Sequence, residues 1–190
     1  MQNLLETYKS YNPLKVCFLD STYVDEILSE YPGYSKTFIQ CDLDEGNIKF
    51  ETNALKLDTQ SKIDLIVRLR IKMYNPESDD YSYHINILIF DMLKQTITHF
   101  EPLETYDLGI VISEALRSRF SYTLPGFKFN TLSFHPQKEM DDECKNMGLC
   151  VAHVIKFVIC HLYCSQNLLK VRNYDYDDIY RFCAAIMDLY

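Results

Sequence analysis

The sequence predicts an α+β domain in which a mixed or antiparallel central sheet packs on a buried helix. Three observations lead there. Residues 37–102 carry strand-like apolar patterns, residues 107–120 switch to helical spacing, and residues 149–165 are apolar almost all round. No repeat, low-complexity tract or Pro/Gly/Ser-rich linker divides the chain. A single unit over 1–190 is therefore expected, with a variable part at 1–60, a core at 62–165 and a closing helix at 173–190.

Each element has a local reason. Residues 2–10 can form a short helix. Val24, Ile27, Leu28 and Tyr31 recur at helical spacing until Pro32-Gly33 stops them. Residues 37–55 read as one or two strands about the turn-like DEGN at 44–47, and 62–74 alternates from Ile66 to Met73. NPESDD (75–80) reads as a loop, and HINILIFD (84–91) is nearly continuous in apolar residues, as in a strand buried on both faces. MLKQ then forms a tight connection, and TITHFEP (96–102) returns as its partner. Leu108, Ile112, Ala115, Leu116 and Phe120 make one helical stripe, and 121–147, with Pro125-Gly126 and His135-Pro136, reads as irregular. In the last helix Asp175 is placed to cap.

Composition narrows the function. With 47% hydrophobic residues the chain can bury a core, which excludes global disorder. Acidic residues outnumber basic ones 27 to 19, a net charge of −8 that repels phosphate, so no nucleic-acid partner is expected. No apolar run reaches the ~20 residues that cross a bilayer, so no membrane partner is expected either. The start, MQNLLETYKSY, lacks the features of a secretory signal, and the seven cysteines are expected as reduced thiols in a protein that is not secreted.

The chemistry centres on a hairpin and a helix start. With MLKQ as the connection, Asp91 faces Thr96 and paired positions sum to 187, which sets Asn86 opposite Glu101. His84, Asn86 and Glu101 then share one face, with His84 and Glu101 as diagonal neighbours. A three-residue loop would shift the register by one and put them on opposite faces. A carboxylate that orients an imidazole holds a general base in its useful tautomer. Cys150 follows Gly148 and opens the apolar helix, where unpaired N–H groups and the helix dipole favour a thiolate. Those N–H groups can also stabilise an oxyanion, and Gly148 permits close approach. Taken singly, each residue reads more readily as structural: a strand-opening His, a strand-ending Glu, a Cys packed in a core helix.

The segment HINILIFDMLKQTITHFEPL resembles the catalytic hairpin of the adenovirus protease (adenain) family and its relatives in large cytoplasmic DNA viruses. The wider group includes the SUMO proteases. The HxNxLIxD start, the 17-residue interval from His84 to Glu101 within an FEP motif, and GLCVAH 49 residues after Glu101 carry the resemblance. It implies that His84 is the base, Glu101 its orienting acid and Cys150 the nucleophile of a papain-like cysteine protease, with Asn86 in support. It also implies an oxyanion-hole glutamine. Gln137, 13 residues before Cys150, is the candidate, at a longer interval than the family shows. The implied substrates are viral structural polyproteins or capsid precursors cut after small residues, in the virion or host cytoplasm, with other capsid proteins as further partners. No cofactor is expected.

Two departures stand out. Ile85 and His153 occupy places where relatives carry Trp, which suits a remodelled groove or an inert relative with a structural role. An isopeptidase acting on ubiquitin-like tags is a third reading. Cys144, Cys150, His153, Cys160, His161 and Cys164 cluster as zinc-ligand types, but Cys150 and Cys164 lie roughly 21 Å apart along one helix and no second ligand pair exists, so no metal is expected.

Overall fold

The computed structural model describes residues 22–44, 47–52, 62–75, 79–103, 108–132, 135–136 and 149–163, together with 179, 181–183 and 185–186 near the C-terminus. The expected helix at 2–10, Asp175, Cys144 and Cys164 lie outside them.

Six strands form one sheet: β1 (Tyr34–Asp44), β2 (Asn47–Thr52), β3 (Leu65–Asn75), β4 (Asp80–Asp91), β5 (Thr96–Phe100) and β6 (Lys128–Thr131). Their spatial order is β2-β1-β3-β4-β5-β6. The β1/β2, β3/β4 and β4/β5 pairs are antiparallel, whereas β1/β3 and β5/β6 are parallel, so the sheet is mixed. Three helices complete the described core: α1 (Thr22–Leu28), α2 (Leu108–Thr123) and α3 (Cys150–Tyr163). The described residues between 179 and 186 are helical as well.

The sheet is covered on both sides, which explains the apolar run of β4. Ile85, Ile87 and Ile89 face α1, α3 and the C-terminal residues Ile179, Phe182 and Ile186. Leu88 and Phe90 face the other way, joining Ile97 and the Ile112, Leu116 and Phe120 stripe of α2. Phe100 of β5 stacks on Phe157 of α3 with ring centroids 4.1 Å apart, fixing that helix against the hairpin.

Two glycines answer to backbone demands. Gly33 lets the chain after α1 lie directly on the entry to β3: its carbonyl accepts from Ile66 N–H at 2.8 Å, and a Cβ there would sit 1.9 Å from the Asp64 carbonyl oxygen. Gly126 takes φ +104° in the turn that leaves α2. That turn leads into β6, a strand inside the stretch read as irregular. Its four residues alternate too briefly for a period-two signal, and it is held by parallel pairing to β5.

A second correction concerns the 75–80 loop. Asp80 already belongs to β4, and Tyr81, Ser82 and Tyr83 continue pairing with β3 although they are exposed. The strand therefore starts four residues before the apolar run does. Near the other end of the sheet Arg68 is buried and ion-paired to Asp25 at 2.9 Å, and Tyr34 donates to the same carboxylate at 2.5 Å. This cluster ties α1 to β1 and β3.

Candidate active site

The β4–β5 register is the one that the tight connection predicts. Asp91 pairs with Thr96 and Ile87 with Phe100, so every observed pair sums to 187. The turn is built for it. Asp91 accepts from Lys94 N–H at 2.8 Å and from Lys94 Nζ at 2.6 Å, and Gln95 takes a positive φ of 52°.

β5 ends at Phe100, so Asn86 and the residues before it have no strand on that flank among the described residues. Glu101 lies one step past the last pair and turns its carboxylate back along β4. Its Oε1 meets His84 Nε2 at 2.5 Å and accepts from Leu103 N–H at 2.9 Å. Its Oε2 accepts from Asn86 Nδ2 at 2.5 Å. His135 adds a further anchor, donating from Nδ1 to the Glu101 backbone carbonyl at 2.8 Å.

Cys150 is the first residue of α3, and the His153 N–H to Leu149 carbonyl bond of 3.0 Å closes the first turn behind it. Its thiol is hydrogen-bonded to His84. With Nε2 engaged by Glu101, Nδ1 is the ring nitrogen left for sulfur. The sequence separations of 17 and 49 residues thus collapse into one line: thiol, imidazole, carboxylate.

The electrostatics of that line oppose one another. Burial disfavours a charged His84 ring, yet the adjacent Glu101 and Cys150 outweigh it and raise the imidazole well above its usual range. Burial likewise pushes the Glu101 carboxyl up, but His84 and the donors around it win and hold it below the usual carboxylate range. Each group keeps its partner charged. The charged His84 ring is thereby held between the carboxylate and the thiol.

The hydrogen-bonded line does not stop at Glu101. Asn86 Nδ2 carries two hydrogens and meets a second group, His99 Nε2, at 2.9 Å, while His99 Nδ1 lies 3.1 Å from Ser113 Oγ on α2. Asn86 and His99 are fully buried. Burial pushes His99 down to about 4, so it is neutral at ordinary pH. A neutral ring that accepts at Nε2 donates at Nδ1, which assigns the tautomer and makes Ser113 the acceptor.

The structure thus brings Cys150, His84, Glu101 and Asn86 together. Gln137 and Gly148 lie outside the described residues. Ile85 points into the core under α3, and His153 is buried, pushed down to about 3 by burial and then by Lys156. Sequence reasoning missed His99, Ser113 and His135. His99 was within reach of it, because the 187 register places it opposite Leu88 and on the Asn86 face. Nothing local marks Ser113, which is met only through the packing of α2. Among the described residues no group of three or more His, Cys, Asp or Glu side chains is placed to hold a metal ion.

The fold has counterparts among solved structures. The chain is similar to the Chlamydia trachomatis effector protein Cdu1 in its ubiquitin-bound structure, with a TM-score of 0.53 and 14% identity over 94% of this chain and 93% of that one. It is also similar to the Chlamydia trachomatis effector ChlaDUB1, with a TM-score of 0.51 and 14% identity over 100% of this chain and 88% of the other. A SUMO protease, Ulp1, with its catalytic cysteine oxidised to a sulfinic acid, aligns at a TM-score of 0.48 and 14% identity over 97% and 81% of the two chains. No protein-family model matches the chain, and no curated protein matches it in sequence. The fold is the mixed α+β, papain-like fold of the Chlamydia effectors.

Proposed function

We propose that this chain is a cysteine protease that hydrolyses peptide bonds by acyl transfer through Cys150. The single observation that carries the reading is the continuous contact from the Cys150 thiol through His84 to Glu101. The Cys150 thiolate attacks the scissile carbonyl, and the carbon–nitrogen bond breaks as His84 hands its proton to the leaving amine. Water, deprotonated by His84, then attacks the thioester and releases the acid, restoring thiolate and imidazolium. Backbone N–H groups at the start of α3, with the Gln137 amide and the close approach allowed by Gly148, receive the oxyanion. Glu101 and Asn86 hold the base.

The substrates that suit the adenain-like hairpin are viral structural precursors, cut after small residues, in the host cytoplasm or the virion. A second reading has its own support. The similarity to Cdu1, whose structure holds ubiquitin, favours an isopeptidase acting on ubiquitin-like tags. A panel of reporters separates them: ubiquitin and SUMO carrying a C-terminal fluorogenic amide, and short peptides ending in Gly-Gly or Gly-Ala. Cleavage of the tagged proteins with the peptides left intact selects the isopeptidase. Turnover of the peptides alone selects the precursor protease. Failure of every reporter, with Cys150 no more reactive than other thiols, supports an inert relative with a structural role.

A further inference from the structure

We propose that His99 is a positioning residue of this site, acting with Ser113 to lock the Asn86 amide so that it donates to Glu101. The inference rests on the protease reading for its functional meaning, but its structural core does not depend on that reading.

Asn86 is poised between two uses. Its Nδ2 must donate at once to the Glu101 carboxylate and to His99 Nε2. Rotating the amide by half a turn would set its oxygen against a carboxylate and remove both bonds. Glu101 favours the observed orientation from one side, and His99 supports it from the other only when it accepts at Nε2; that tautomer needs an acceptor for the proton on Nδ1. Ser113 supplies it from α2. A ring protonated on both nitrogens, or on Nε2 alone, would direct an N–H at the Asn86 amide and turn it round. Burial keeps the ring neutral, and the titratable groups acting on it are Glu101, His135 and His84. Phe129 of β6 lies alongside with centroids 6.2 Å apart, leaving the ring an apolar wall on that side.

The consequence reaches the thiol through three hydrogen bonds. A locked Asn86 holds Glu101 Oε2, which leaves Oε1 aimed at His84. A released Asn86 leaves a buried carboxylate short of one donor and free to swing from the imidazole. The α2 helix, remote in sequence from both hairpin and nucleophile, thereby sets how well the base is held.

Two measurements test this, and neither needs a substrate. The first is the ¹⁵N-detected tautomer of His99 in the intact chain between pH 5.5 and 8. A ring protonated only on Nδ1 throughout is expected; protonation on Nε2 overturns the proposal whatever the chain's activity. The second is the rate at which iodoacetamide alkylates Cys150 at pH 6 in His99→Phe, Asn86→Ala and the double variant. Each single change is expected to slow alkylation about tenfold, and the double change no further than either one. His99→Gln, whose amide can accept from Asn86 and donate to Ser113, is expected to recover most of the rate. Additive losses, or a Phe variant that keeps the wild-type rate, contradict the proposal. Ser113→Ala is the milder probe should His99→Phe fail to fold, and it is expected to give a mixture of His99 tautomers. A single unchanged tautomer there counts against the role of Ser113. If wild-type Cys150 reacts no faster than Cys160, the protease reading fails and the tautomer alone decides the His99 proposal.

Discussion

The imidazole of His84 and the carboxylate of Glu101, 17 residues apart, meet at 2.5 Å across the β4–β5 hairpin, and each holds the other in its charged form. A buried pair of this kind loses more when one partner is removed than the pair itself contributes, because the survivor stays buried without compensation.

Glu101→Gln keeps the shape and removes the charge. Turnover in whichever reporter assay reads activity is expected to fall on the order of 10³-fold, with the folded structure retained. Glu101→Ala is expected to lose activity and about 3 kcal/mol of stability as well, read by urea unfolding. Full activity in Glu101→Gln would remove the orienting carboxylate from the mechanism.

Acid stability follows from the buried neutral rings. The folded chain takes up a proton on His99 only near pH 4 and on His153 only near 3, whereas the unfolded chain binds at both from ~6.5 downward. Across that window the unfolded state holds more protons, so stability falls as pH falls, for His99 alone by on the order of 3 kcal/mol between pH 6.5 and 4. His84 has the opposite sign. Its raised value stabilises the fold fully below the unfolded value and loses that contribution as pH rises through the folded one, so it adds no slope here. Glu101, held low, stabilises above its unfolded value near ~4.3 and gives way only below it. Urea midpoints measured from pH 7 to 4.5 are expected to decline steadily, and His99→Gln to flatten the decline. A flat profile in the wild type would contradict the assignment of neutral buried histidines.

The turn that fixes the register carries removable strain. Gln95 sits at φ 52°, a conformation that suits glycine, and its carbonyl accepts from Lys128 N–H at 2.8 Å without use of the side chain. Gln95→Gly is expected to raise stability by about 0.5–1 kcal/mol in thermal unfolding and to leave Cys150 reactivity unchanged.

Phe157 lies two turns along α3 from Cys150 and stacks on Phe100, the last residue of β5 before Glu101. Phe157→Ala is expected to cost about 3–5 kcal/mol, measured by chemical unfolding, and Phe157→Leu clearly less. Equal costs would mean that the aromatic stack, and not the buried volume, carries the contribution.

Much of the site was legible because strand parity is strict. Once Asp91 was set opposite Thr96, the shared face of His84, Asn86 and Glu101 followed, and the same parity contained His99. The start of α3 at Cys150 was legible from the apolar run, and the two-sided burial of β4 from its unbroken hydrophobicity. Other features had no local signal. β6 consists of four residues whose strand character comes from its neighbour, and Ser113 matters only because α2 crosses the sheet face at His99. The exposed start of β4, Tyr81 to Tyr83, is strand because β3 pairs with it, and polar aromatic residues around a loop signal hide that. Tertiary contacts, which no sequence window contains, decide such cases.

The pairing of Cys150 with His84 is tested most directly by the rate of iodoacetamide alkylation at pH 6, resolved by mass spectrometry for each thiol. Cys150 is only 4% exposed, whereas Cys160 on the same helix is half-buried, so accessibility alone favours Cys160. Contact with the charged His84 ring reverses that order: Cys150 is expected to react at least about tenfold faster than Cys160 and to lose the advantage in His84→Gln. Equal rates for the two thiols, or a Cys150 rate unaffected by His84→Gln, would contradict the proposed role of Cys150 and with it the protease reading.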